Sequence, residues 1–250
     1  MKVISLNTWG GEAGMSELLA FFKKHADADI FCLQEIWNGG EEMLGEKSDF
    51  ELAKRNTRLL QDIEEALPDH RVYFRPHFSD YYGLAMYVRK ELAVEEEGEI
   101  YVYKEAGFIS PDEYGNHARN LQYITVLTSG GPLTIMNVHG LWNGQGKADC
   151  AERLEQSDRI VNFVTSRKEQ IILMGDFNLR PDTESVSRIE AAGLRNLIKE
   201  YGVTSTRTSH YTKPEKFADY TFVSGEIEVK DFKVLPDEVS DHAPLYLEFD

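Results

Sequence analysis

The chain has 250 residues, 42% of them hydrophobic and 11% aromatic, enough to fill a sizeable core and to exclude a disordered chain. Its 27 basic and 43 acidic side chains give a net charge of −16, with a pI of about 4.9. That excludes a chain-wide basic footprint for passive nucleic-acid binding and disfavours docking on anionic membranes, but not metal-assisted chemistry, because bound cations invert the local charge.

The first strand-like run, KVISLNT, ends on Asn7. MSELLAFFKKHA follows, with Leu18, Leu19 and Phe22 near one helical face and Ser16 as a candidate N-cap. In DIFCLQEI an apolar strand gives way to Gln34 and Glu35, and Cys32 reads as a small core residue. From about Ser48 to Leu67 the residues Leu52, Leu59, Leu60, Ile63 and Leu67 recur at helical spacing. Lys54, Arg55 and Arg58 form a basic cluster there, diluted by Glu46, Asp49 and Glu51. RVYFRPH, GLAMYVRK and EIYVYK read as strands, with the acidic run Glu95 to Glu99 as a solvated turn. Lys104 to Asn120, with Gly107, Pro111 and Gly115, reads as a long loop of the kind that often serves function. LQYITVLTS and PLTIMNVHG are strands, the second ending on Asn137 and His139. Helical patterns from about Asp149 to Ser166 and from Ser185 to Ala192 flank QIILMGDFN, which ends on Asp176 and Asn178. The strands FADYTFVS, EVKDFKVL and PLYLEF close the chain, with Ser240-Asp241-His242 before the last.

This order opens βαβα, becomes mostly β and then mixes, which predicts an α/β chain with strands in two packed sheets and helices on the outer faces. No Pro/Ser linker or repeat divides it, so residues 1–250 are expected to form one domain. Two cysteines do not make a disulfide framework, and no signal peptide or apolar run of transmembrane length is present. The expectation is a cytoplasmic monomer without a membrane anchor.

A buried strand has no structural use for a carboxylate or imidazole at its tip, so these polar tips predict one converging site. Glu35 is a candidate ligand for a hard cation, since Mg²⁺ takes oxygen donors, and Asn7 could orient Glu35 or a metal-bound water. Asp176 and Asn178, two residues apart, would face one spot while Phe177 packs behind; a carboxylate and an amide can aim a water and donate to a phosphate oxygen. Asn137 and His139 repeat that spacing. Adjacent residues of an extended chain point apart, so Asp219 is a better partner for His242 than Asp241. A carboxylate there fixes the imidazole tautomer and favours its charged form.

LNTW, LQE, NVHG, GDFN, ADYTFVS and SDHAPL, in this order from residue 6 to residue 245, resemble the endonuclease/exonuclease/phosphatase superfamily, with deoxyribonuclease I-like and exonuclease III-like enzymes among its members. The resemblance implies a four-layer α/β sandwich of two packed, mixed β-sheets flanked by helices, and Mg²⁺- or Mn²⁺-dependent hydrolysis of a phosphoester substrate. By motif, Glu35 ligates the metal with Asn7 and Asp241 nearby. Asp176 orders the water, and Asn178 binds phosphate. His242, held by Asp219, and His139 supply charge and protons, their acid and base roles open. Arg119 and Asn137 complete the expected phosphate-binding set, with Arg153 a weaker candidate. Deoxyribonuclease I-like enzymes pair their histidine with a Glu before the GLAMYVRK-type strand, where this chain has Tyr82.

Trp37, Phe108, Tyr114 and Trp142 lie just beyond strand tips and could form an aromatic rim. The acidity favours small or single-stranded substrates; a phosphatase or a sphingomyelin-type phosphodiesterase is the alternative within the fold. A non-catalytic scaffold is disfavoured because every expected polar residue is present.

Overall fold

The computed structural model describes residues 1–41, 55–110 and 116–250. Alternation along the strands sorts the apolar side chains into layers. In β1 (Lys2–Asn7), Ile4 and Leu6 face helices α1 (Met15–Lys24) and α2 (Leu59–Ala66), while Val3 joins the core between two sheets. In β2 (Ile30–Trp37), Phe31 and Leu33 take the helix side, and Ile30 and Cys32 the inner side.

The first sheet continues with β3 (His70–Phe78), β4 (Tyr82–Arg89), β11 (Val229–Val234) and β12 (Leu245–Phe249), in the order β11-β12-β1-β2-β4-β3. The second holds β5 (Val94–Tyr103), β6 (Arg119–Thr128), β7 (Gly131–His139), β8 (Gln170–Asp176), β9 (Leu194–Asn196) and β10 (Asp219–Ser224), in the order β5-β6-β7-β8-β10-β9. Helices α3 (Ala151–Ser166) and α4 (Glu184–Ala191) bury Ile160, Val164, Val186 and Ile189 against the second sheet's core; α5 (Leu197–Glu200) is a single turn. Both sheets are mixed. Pairs β1/β2 and β7/β8 are parallel, and α1 and α3 make the crossovers that parallel pairing requires. The result is the expected four-layer sandwich, and no helix among the described residues is long and apolar enough to cross a membrane.

Several local expectations are corrected. Gly14, not Ser16, precedes α1, and the Ser16 hydroxyl donates to Glu17 instead. Of the helix expected from about residue 48, residues 55–58 are not helical and α2 starts at Leu59; Glu46, Asp49, Glu51, Leu52 and Lys54 lie outside the described residues, as do Pro111, Tyr114 and Gly115. Glu95, Glu96 and Glu97 are not a turn but part of β5, a strand at the sheet edge where charged side chains can stay in water. The Lys104–Asn120 loop is pinned by a bridge between Ile109 and His117, and Arg119 and Asn120 belong to β6. The three-residue β9 went unseen because it is too short to show alternation.

Candidate active site

Strand register builds one wall of the site. Parallel pairing sets His139 of β7 beside Asp176 of β8, and antiparallel pairing sets Asp219 of β10 beside the same Asp176. The three side chains therefore form a row across adjacent strands. The other sheet answers through Asn7, whose Nδ2 donates to Glu35 Oε1 at 3.1 Å and to Asp176 Oδ2 at 3.0 Å. Its amide oxygen accepts from the Trp9 N–H at 3.0 Å, so Asn7 orients two carboxylates with its nitrogen.

Glu35 does not sit where β2 ends. The strand runs on to Trp37, and Glu35 lies in a register shift between Leu33 and Ile36 with φ 60°. A bulge re-aims one side chain without ending the strand, and a non-glycine residue at positive φ is retained where surroundings enforce it. Asn178 also has a positive φ, 53°, so the GDFN tip is a turn rather than an extended pair. Its backbone N–H donates to Asp176 Oδ1 at 2.8 Å, and its Nδ2 reaches the Gly140 carbonyl at 3.4 Å. Phe177 packs behind against Tyr220 and Phe222.

The two histidines are held differently. His242 Nδ1 faces both Asp219 oxygens at 2.8 and 2.9 Å, and the Thr206 hydroxyl donates to Asp219 Oδ2 at 2.8 Å. Burial and Arg207 oppose charge on His242, but Asp219, with Asp176 and Asp241, outweighs them and raises its pKa. His139 Nδ1 instead meets Arg119 Nη1 at 3.1 Å. A guanidinium only donates, so this contact leaves the His139 proton on Nε2. Burial, then the charge of Arg119, holds the His139 pKa well below the ordinary imidazole value. Arg119 also hydrogen-bonds Tyr82, which occupies the position where a Glu was expected. His139 is thus a neutral donor, and the carboxylate pairing of deoxyribonuclease I-like enzymes is replaced by an arginine.

Asp176 Oδ2 lies 3.6 Å from His242 Nε2 and 3.7 Å from His139 Nε2. Both separations exceed direct hydrogen-bond range, so carboxylate and imidazoles face a shared space. Burial opposes ionisation of Asp176, yet His242, Lys147, Arg207 and the Asn178 N–H lower its pKa, leaving it a carboxylate. Asp241 pairs with Arg207 at 3.0 Å; burial raises its pKa, and the charges of Glu35 and Asp176 add to that rise.

A cavity of about 350 Å³ brings together Glu35, Arg119, His139, Asp176, Asn178, Asp241 and His242. Asn7 and Asp219 stand directly behind it as hydrogen-bond partners. Asn137 does not reach it. Its Nδ2 donates to the Leu33 carbonyl at 2.9 Å and its Oδ1 accepts from Gln34 at 2.6 Å, so it ties the two sheets together below the site. Arg153 stays outside too, gripping the Ala148 and Gly146 carbonyls from α3. Sequence reasoning gave no role to Lys147, Arg207 or Tyr211, and left Arg55 in a diluted surface cluster. All four line the cavity, and Arg55 pairs with Glu35 at 2.9 Å. The segments of Lys147, Arg207 and Tyr211 carry no periodicity, and only the KFADY strand start close after Arg207 and Tyr211 hinted at those two; Arg55 lies in a stretch whose periodicity spoke for a helix, not for a site. Trp37 and Trp142 line the cavity, as does Trp9; Phe108 packs on Tyr103 instead.

Asp176, Asp219 and His242 each offer a ligand atom within 4.8 Å of the others, but Asp219 is engaged with His242 Nδ1, so of the three Asp176 is the donor that faces the cavity for a metal ion. The donor chemistry around them, carboxylates converging from Glu35 and Asp241 with the Glu35 charge raising the pKa of Asp241, suits a hard divalent cation.

Residues 4–242 match the model of the Endonuclease/Exonuclease/phosphatase family. No curated protein matches the chain. Among solved structures, it is similar to a mannosyl-6-phosphatase from Bacteroides thetaiotaomicron, with 20% identity and a TM-score of 0.73 over 100% of this chain and 99% of that one. A functionally unknown conserved protein from Enterococcus faecalis gives 19% identity and a TM-score of 0.75 over 100% and 99%. Truncated Caenorhabditis elegans TDP2 gives 20% and 0.68 over 99% and 96%.

Proposed function

The chain belongs to the endonuclease/exonuclease/phosphatase family of metal-dependent phosphoester hydrolases, and we propose that it acts on compact phosphoesters with Mg²⁺ or Mn²⁺ as its cofactor. The observation that carries this reading is the facing of Asp176 by two histidines of opposite character in one small cavity. Glu35, Asp241 and Asp176 would hold the cation, which supplies Lewis-acid charge at the phosphate. Asp176 aims and deprotonates the attacking water. His242, charged through Asp219, stabilises the negative charge that develops on the phosphoryl oxygens, where preorganised donors act most strongly. Neutral His139 donates from Nε2 to a phosphoryl or leaving-group oxygen, and the Asn178 amide adds a further donor. The net charge of −16 supports a small substrate over a duplex. The full-length likeness to a protein named a mannosyl-6-phosphatase supports a sugar phosphate or similar monoester.

The test is turnover of p-nitrophenyl phosphate and bis-p-nitrophenyl phosphate with Mg²⁺, Mn²⁺ or EDTA, wild type against Asp176→Asn. Metal-dependent turnover that falls about 10²–10⁴-fold in the variant is expected, the range of a lost acid–base group. Absence of metal-dependent turnover of either ester would sink the reading. A panel adding sugar phosphates, oligonucleotides and sphingomyelin then separates monoesterase, nuclease and lipid phosphodiesterase.

A further inference from the structure

Lys147 is the anomaly of the site. It is only 3% exposed, yet its Nζ has no hydrogen-bond partner among the described residues. Other cations lining the cavity are engaged: Arg55 with Glu35, Arg207 with Asp241 and Arg119 with His139. A buried ammonium without acceptors is costly and persists only where something compensates it.

The surroundings place this cation deliberately. Its backbone carbonyl accepts from the Arg180 N–H at 3.0 Å, tying the residue to the segment that follows Asn178. From α3, Arg153 grips the carbonyls on either side of it, those of Gly146 and Ala148. Lys147 Nζ lies 5.7 Å from the centre of the Tyr211 ring, and the Arg207 guanidinium stacks on the same ring at 3.9 Å. Two like charges on one aromatic platform repel each other, and an anion between them relieves the repulsion. Asp176, Asp219 and Asp241 all act on Lys147, so the ammonium sits within the field of the reacting groups.

We infer that Lys147 is a phosphate-binding residue, donating to the non-bridging oxygens of the substrate's phosphoryl group and biasing the enzyme towards phosphomonoesters. A monoester's phosphoryl group carries one more negative charge than a diester's, and an ammonium without a carboxylate partner complements that charge. This assignment rests on the phosphoester-hydrolase reading and names the substrate class within it.

Lys147→Met keeps the stem and removes the charge. Inorganic phosphate, titrated calorimetrically into the Mg²⁺-loaded protein, should bind at least about 10-fold more weakly to this variant, the scale of a lost charged hydrogen bond. Its kcat/KM for p-nitrophenyl phosphate should fall about 100-fold and that for bis-p-nitrophenyl phosphate less than about 10-fold. Its Tm should hold or rise, because an apolar end replaces an unpartnered ammonium. Lys147→Arg should keep phosphate binding within about 10-fold of wild type. Unchanged phosphate affinity in Lys147→Met, equal losses on the two esters, or a lowered Tm would each overturn the assignment. If wild type turns over neither ester, the hydrolase reading fails, while the phosphate titration still decides whether Lys147 binds the anion.

Discussion

What separates His139 from His242 is the group at Nδ1: an arginine for one and a carboxylate for the other. Asp219 is the chief charge that raises the His242 pKa against burial. A charged His242 at the phosphate makes activity fall as pH climbs through that raised pKa, because the imidazolium is lost. In Asp219→Asn the raising charge is gone, so the alkaline fall in kcat/KM should move to lower pH by about one unit or more. Activity at neutral pH should drop about 10²-fold. A pH–rate profile reads both. If activity instead grows as His242 loses its proton, His242 is the base and Asp176 only aims the water.

At the scale of elements, the site depends on three strands keeping one row. Gly175 guards that row. Its φ is +140°, and a Cβ there would stand 2.1 Å from the Val138 carbonyl oxygen of β7. Gly175→Ala should force β8 from β7, costing about 1–3 kcal/mol in urea unfolding and separating Asp176 from His139, so that activity falls with stability. Sequence alternation made most of these strands legible, along with their polar tips, because period-two patterning and tip chemistry are local properties. It could not reveal Glu35's bulge, which exists only against β4, nor Asn137's place between the sheets, which depends on how β7 faces β2. Lys147 and Arg207 stayed unread, and Arg55 was legible only as part of a diluted basic cluster, for the same reason: their segments gain meaning only where distant parts of the chain meet. The Glu-to-Tyr82 change was visible in sequence, but its consequence, an arginine taking over His139, needed the neighbours of Tyr82.

At the scale of the whole molecule, two electrostatic regimes coexist. The chain carries −16, yet among the described residues five arginine and lysine side chains, besides charged His242, line the cavity against three carboxylates: Arg55, Arg119, Lys147, Arg207 and Lys213 against Glu35, Asp176 and Asp241. A small phosphoester meets chiefly the cavity. A long polyanion also meets the acidic surface, which repels it over a range set by the Debye length, about 10 Å at 0.1 M salt. Proteins that neutralise many phosphates lose affinity steeply as salt rises, about 10³–10⁵-fold between 50 and 200 mM for 6–10 phosphate contacts. This molecule should behave in the opposite sense. Its kcat/KM on a single-stranded oligonucleotide should stay level or rise over that salt range, because screening weakens surface repulsion more than the enclosed contacts at the site. Rates measured from low to high KCl at fixed Mg²⁺ test this. A steep decline with salt would mean that a basic track outside the cavity engages the strand, and would turn the substrate assignment towards nucleic acid.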